Sequence, residues 1–259
     1  KTTLGRVVIK LLEPTGGKIF YEGKDITDIG KKANIELRKE MQIIFQDPYS
    51  SLNPRLHVFD LIADPLKSFR LMGRSARKDK VFELMDMVGL SRRFAYSYPH
   101  ELDGGRRQRI GVARALALSP KFIVCDEPVS SLDVSIQAQI LNLLQDLQKQ
   151  HQLTYIFVTH DLSVVKHIST DILVMYVGAM VEKCGAKELF EKPLHPYTKG
   201  LLAAIPVPNI DYVREKIVLQ GELSSPINPK SECRFANRCS YASDICRREI
   251  PVYEEVLPK

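Results

Sequence analysis

No run of apolar residues in this 259-residue chain is long enough to cross a bilayer. The longest near-continuous stretch, Ile172 to Val181, contains Gly178 and is about half the ~20 residues that a spanning helix needs. No N-terminal segment shows the charged, apolar and small-residue order of a secretory signal, and no internal repeat is evident. The composition is not that of a disordered chain either: 44% of the residues are apolar, enough for a large core in one large domain or two small ones. Aromatic residues are missing between the basic residues of Arg74 to Lys80 and Arg106 to Arg109. The formal net charge of +6 therefore reads as solvated faces, phosphate contacts or a membrane-facing rim, and no nucleic-acid partner is expected. A cytoplasmic globular protein is the class these absences leave.

What is present centres on Phe122 to Ser135, FIVCDEPVSSLDVS. Four apolar residues, Phe122 to Cys125, read as a buried parallel strand, and Asp126 and Glu127 follow where such strands present ligand-binding groups. Two other strands end similarly. Met41 to Gln46 runs apolar into Gln46, and Thr154 to His160 runs apolar into Thr159 and His160. In an open α/β sheet the strand carboxyl ends line one crevice, so Gln46, Asp126, Glu127 and His160 are expected to converge on one ligand.

Those residue types suit phosphoryl transfer to water. The reaction needs a metal to offset phosphate charge, a group to orient the attacking water and donors on the γ-phosphate. Asp126 suits the metal, Glu127 the water and His160 the γ-phosphate. The plainer reading makes Asp126 a helix-start residue, Glu127 a surface charge and His160 a turn histidine. A lone carboxylate pair would favour it; the set in this order favours the site.

In chain order, KTT at Lys1 to Thr3, Gln46, LDGGRRQR at Leu102 to Arg109, CDEP at Cys125 to Pro128, SSLD at Ser130 to Asp133 and THD at Thr159 to Asp161 resemble an ABC transporter ATPase over nearly the whole chain. The resemblance implies an α/β P-loop NTPase with an inserted helical subdomain. It implies nucleotide binding by Lys1, Thr2, Thr3, Gln46 and Asp126, with Mg2+ held by Thr2, Gln46 and Asp126. Glu127 and His160 become the catalytic pair, and Ser131, Leu132 and Asp133 the D-loop. Leu102, Asp103, Gly104, Gly105 and Arg106 become the signature, which meets the ATP of a paired subunit.

Two departures qualify that resemblance. The phosphate loop has the form G-x-x-x-x-G-K-[ST], and this sequence opens at the lysine. The glycines that cradle phosphate and the family's preceding β-region are absent, so the sequence is expected to be a fragment that binds ATP poorly. The second departure is in the signature, where the family pattern LSGGQ is LDGGR here. Asp103 is a good N-cap, worth about 1 kcal/mol to its helix. Two like charges about 4 Å apart cost on the order of 4 kcal/mol at an effective dielectric of 20. On that balance Asp103 weakens the site of the paired subunit, with Arg106 as a partial offset; the other reading makes it a tolerated variant.

Three segments organise the chain. Residues 1–47 and 119–191 read as the ATP-binding core, with a helix over Lys1 to Leu12, a strand from Lys18, a long helix over Ile136 to Gln150, and a return to strands that completes the sheet up to Glu191. Residues 48–118 read as the helical subdomain that meets membrane subunits. Residues 192–259 form a loop-rich extension. It resembles that of oligopeptide and dipeptide importer ATPases, with Pro196, Pro206, Pro208, Pro226 and Pro229 marking its irregularity. Taken alone it suggests only an irregular surface segment.

That branch implies ATP hydrolysis powering peptide import, a homologous ATPase partner, two transmembrane permeases, an extracytoplasmic substrate-binding protein and a place on the cytoplasmic membrane face. Nickel, opine or glutathione importers share the tail. A catalytically weak partner subunit is the second reading, and a nucleic-acid ATPase of the same fold the third. Cys233, Cys239 and Cys246, spaced C-x5-C-x6-C, are either buried thiols or ligands of a [4Fe-4S] cluster, as in some relatives of this branch; a fourth ligand would then come from elsewhere.

Overall fold

The computed structural model describes residues 1–205, 219, 221–222, 225 and 227–256. The expectations on Pro206, Pro208 and Pro226 lie outside them. The chain divides into two units, 1–160 and 161–259.

The first unit is built in the order α1 (Thr2–Val8), β1 (Phe20–Tyr21), β2 (Lys24–Asp25), α2 (Lys31–Glu40), β3 (Met41–Ile44), α3 (Pro48–Ser51), α4 (Val58–Ser68), α5 (Arg74–Met87), α6 (Gly104–Leu116), β4 (Phe122–Asp126), α7 (Val134–His151) and β5 (Thr154–Val158). Strands β3, β4 and β5 form a parallel sheet with β4 in the centre. A central parallel strand is covered on both faces, and Ile123, Val124, Cys125 and Asp126 are all buried. Helix α1 packs on β4 and β5. Gly5 makes that approach possible, because a Cβ there would lie 2.8 Å from Val124 Cγ1.

Between β3 and β4 the chain turns helical because the apolar period changes from two to three or four. Val58, Leu61, Ile62 and Leu66 of α4 are buried, as are Val81, Leu84 and Met85 of α5 and Ile110, Val112 and Ala113 of α6. The three helices pack on one another, and α6 also reaches β3. Entry to the helical region is closed by Asp47, whose carboxylate accepts from the Tyr49 and Ser50 N–H groups at the start of α3. Those bonds hold the Asp47 carboxyl below its ordinary range.

The second unit contains α8 (Leu162–Ile168), β6 (Asp171–Tyr176), β7 (Ala179–Gly185), α9 (Ala186–Glu191) and α10 (Pro196–Ala203). Here the structure corrects the reading of the sheet. β6 and β7 do not extend the parallel sheet but pair with each other as an antiparallel hairpin. Two residues close the turn, Val177 and Gly178, both with positive φ, the geometry that matches strand twist in a two-residue loop. The apolar run hid an alternation: Ile172, Val174 and Tyr176 are buried while Leu173 is exposed.

Among the described residues the extension beyond α10 is loop-rich, as expected, and it is docked on the hairpin. Buried Glu182 on β7 accepts from the Leu194 and His195 N–H groups at 2.8 and 3.1 Å. Tyr176, Tyr197, His195 and Phe235 close over the hairpin, with Phe235 centroids 5.1 Å from both Tyr176 and His195. Burial pushes His195 below its ordinary pKa, and its Nδ1 accepts from the Tyr197 N–H at 3.1 Å to cap α10.

Candidate active site

Three element ends meet at the carboxyl edge of the parallel sheet. β4 delivers Asp126 as its last residue, buried to 2% exposure. The first turn of α1 brings Thr2, whose hydroxyl donates to Asp126 Oδ1 at 2.8 Å. Lys1 Nζ donates to the Thr159 carbonyl at 2.9 Å, just beyond β5. Thr3 is exposed on the same turn and stands outside this set of bonds.

Glu127 follows the strand and changes its course. Its N–H continues the ladder to the Val158 carbonyl at 2.9 Å. Its φ of +47° then turns the chain left-handed, a conformation that costs a non-glycine residue about 1–2 kcal/mol. The Ser130 N–H and hydroxyl both donate back to the Glu127 carbonyl, at 3.3 and 3.1 Å. The turn leaves the Glu127 carboxylate between two groups from other strand ends. Gln46 Nε2 donates to Oε2 at 2.9 Å, and His160 Nδ1 lies 3.3 Å from Oε1. Lys1, Thr2, Gln46, Asp126, Glu127 and His160 are thus gathered at one edge.

The donor set fits a small hard cation. The Thr2 hydroxyl, an Asp126 carboxylate oxygen and the Gln46 side-chain carbonyl are oxygen ligands of the type Mg2+ takes, with phosphate and water completing its shell. No such fit is found for the tail cysteines. Among the described residues no group of three or more His, Cys, Asp or Glu side chains is placed to hold a metal ion. The Cys233 N–H donates to the Cys246 carbonyl at 2.9 Å, and Ser243 Oγ lies 3.5 Å from Cys246 Sγ. That contact lowers the Cys246 thiol below its ordinary pKa.

The signature residues form a second cluster at the start of α6. Leu102 is buried, and Asp103 is the N-cap, accepting from the Arg106 N–H at 2.8 Å. Gly104 and Gly105 lie hard against the chain leading into α7. A Cβ on Gly104 would stand 3.1 Å from Leu132, and one on Gly105 2.6 Å from Ile136. Of Ser131, Leu132 and Asp133, Leu132 therefore adjoins Gly104, while Ser131 and Asp133 are exposed and Asp133 opens α7.

Two partnerships went unread in the sequence, the Thr159 carbonyl under Lys1 and the Phe94 ring under Arg106. Backbone acceptors leave no residue-type signal. The salt bridge between Asp103 and Arg106, at 2.9 Å, does have one: opposite charges three apart on a helix are neighbours.

Residues 1–130 match the family described as ABC transporter. The chain belongs to the ABC transporter family. Residues 181–246 match a second description, the C-terminal region of oligopeptide/dipeptide transporters. The oligopeptide transport ATP-binding protein AppF of Bacillus subtilis is 49% identical over 261 residues, covering 100% of this chain and 79% of that protein. OppF of Salmonella typhimurium, also an oligopeptide transport ATP-binding protein, is 50% identical over 98% of this chain and 77% of its own length. The dipeptide transport ATP-binding protein DppF of Haemophilus influenzae is 45% identical, with 98% and 78% covered.

Among solved structures, cbiO1 of Clostridium perfringens, part of an ABC transporter complex, matches with a TM-score of 0.67 at 27% identity over 74% of this chain and 75% of its own. The ATP-binding cassette MJ0796, bound to ADP and Pi in a dimeric post-hydrolysis state, matches with a TM-score of 0.63 at 28% identity, over 71% and 80%. The α/β cassette fold expected from the sequence is the fold found. Among the described residues no helix is long and apolar enough to cross a membrane.

Proposed function

We propose that this ABC protein is the ATP-hydrolysing subunit of a peptide importer, lying on the cytoplasmic membrane face and working with a second cassette and two permeases. An extracytoplasmic substrate-binding protein would deliver the peptide. The observation that carries the catalytic part is the Glu127 carboxylate held between Gln46 and His160, beside the Thr2–Asp126 pair. The peptide class rests on the C-terminal match over residues 181–246 and on relatives named for oligopeptide and dipeptide transport.

In this reading Thr2, Asp126 and Gln46 would hold Mg2+, which would offset the charge of the ATP phosphates. Lys1 leaves the Thr159 carbonyl for the β- and γ-phosphates. Glu127 orients the attacking water and accepts its proton, and His160 contacts the γ-phosphate. Gln46 donates to the Glu127 carboxylate and would also serve as a ligand of the ion, which would link nucleotide loading to release of Glu127 through one side chain. The start of α6 and the D-loop face the nucleotide of the paired cassette.

Reconstitution of the full-length protein with its partner cassette and permeases in liposomes tests this directly. ATP turnover is expected to rise with the substrate-binding protein and a short peptide; turnover that ignores peptide but answers to nickel or glutathione transfers the reading to those cargoes. A [4Fe-4S] cluster at Cys233, Cys239 and Cys246 is the finer reading of the tail. It rests on the C-x5-C-x6-C spacing alone, since no metal-holding group is found among the described residues, and a fourth ligand from elsewhere is required. Iron and acid-labile sulfide in anaerobically purified protein decide between cluster and free thiols.

A further inference from the structure

The start of α6 carries a carboxylate where an approaching phosphate would find repulsion, and the structure supplies the group that cancels it. Both oxygens of Asp103 are engaged by one residue. Oδ1 accepts from the Arg106 N–H at 2.8 Å, and Oδ2 pairs with Arg106 Nη1 at 2.9 Å. The Arg106 guanidinium is braced from below by the Phe94 ring, 4.8 Å from its centroid. Arg93 shares the Phe94 ring, 4.7 Å from its centroid, without a bond to Asp103; Arg107 donates to the Leu102 carbonyl and lies over Tyr49, and Arg109 donates to the Val88 carbonyl. Asp103, Gly105, Arg106 and Phe94 line one open cavity of about 300 Å³.

We propose that Arg106 is a positioning residue that neutralises Asp103 and so keeps the start of α6 able to meet a phosphate of the nucleotide bound by the paired cassette. This rests on the ATPase reading above. It also reverses the expectation from the sequence that Asp103 impairs the site of the paired cassette, because a carboxylate paired on both oxygens presents little net charge to an incoming anion. The pair is an exposed one, so its worth to fold stability is small. Its effect belongs to nucleotide binding.

A charge-swap series tests it. Full-length wild type, Arg106→Gln, Asp103→Ser and the double variant are assembled with the partner cassette and permeases. Serine retains the N-cap and removes only the charge. Arg106→Gln is expected to lower kcat/KM for ATP about tenfold, equivalent to about 1.4 kcal/mol, mostly through KM, with an unchanged melting temperature. Asp103→Ser, which releases the Arg106 guanidinium toward the phosphate, is expected to raise kcat/KM for ATP through a lower KM, and the double variant returns to within about threefold of wild type. An Arg106→Gln variant with normal kcat/KM, or a double variant as impaired as Arg106→Gln, overturns the proposal. Asp126→Asn in the same assembly separates the two levels: if it leaves turnover intact, the ATPase reading itself has failed; if it abolishes turnover while Arg106→Gln does not lower it, only the pairing has failed.

Discussion

The carboxyl edge of the parallel sheet and the start of α6 each carry a carboxylate beside a backbone turn, and the two are held in opposite ways. Glu127 is mostly shielded, its side chain 19% exposed, and its carboxylate meets Gln46 and His160. Asp103 is 56% exposed and is pinned by an arginine and a helix N–H. On the proposed reading, the carboxylate that orients water is held by an amide and an imidazole. One that must not repel a phosphate is served by a fixed cation. The same functional group is held by an amide and an imidazole in one place and by a guanidinium in the other.

The sharpest way to break this contrast is to remove the metal side of the sheet edge. Asp126→Asn deletes the charge that meets the Thr2 hydroxyl, and turnover should fall on the order of a hundredfold, as loss of several kcal/mol of transition-state charge stabilisation implies. A steady-state phosphate-release assay over a magnesium titration checks it; rescue by excess Mg2+ would point to weakened binding, and turnover equal to wild type would remove Asp126 from the site.

Backbone approach at α6 comes next. Gly105→Ala places a Cβ within 2.6 Å of Ile136 Cγ2, so the α6 start and α7 must separate. Overpacking of this kind costs about 1–3 kcal/mol, and thermal unfolding should show it. Ile136→Ala in the same background opens the needed room and should recover part of the loss.

Gln46→Ala probes the sheet edge more gently. It frees one Glu127 oxygen and, on the proposed reading, removes a metal ligand, so KM for ATP should rise more than kcat falls. A pure kcat effect would show that Gln46 acts only through Glu127.

The smallest effect lies away from both carboxylates. His195 titrates below its ordinary value because it is buried, with Glu182 opposing the shift. A histidine depressed in the folded state contributes stability above its unfolded pKa, near 6.5, and that contribution is lost as pH falls through the folded value. The second unit should therefore lose stability on going from pH 7 to pH 5, and His195→Asn should flatten that slope. A slope unchanged by the substitution would place the titration elsewhere.

The sheet edge was legible in the sequence because its signals are local. Phe122 to Cys125 form an unbroken apolar run that ends on carboxylates, and the strand is found over Phe122–Asp126. Helix α7 was expected over Ile136 to Gln150 and runs over Val134–His151. The hairpin was not legible. Ten nearly continuous apolar residues look like a buried strand, and the alternation appears only when exposure is known, Leu173 and Met180 being over 40% exposed. The docking of Leu194 and His195 on Glu182 was equally hidden, since backbone donors carry no sequence mark. The Asp103–Arg106 pair had a visible spacing, but its strength depends on Phe94, which only the fold brings beneath it.

The account stands on Glu127 as the group that makes hydrolysis possible without being needed for binding. The most direct test follows ATP on full-length protein assembled with its partners, wild type against Glu127→Gln, reading bound nucleotide and released phosphate together. The account predicts that the variant retains ATP at wild-type occupancy while phosphate release falls about a hundredfold or more. Phosphate release at the wild-type rate would contradict it, and Glu127 would then be a turn residue held by its neighbours and nothing more.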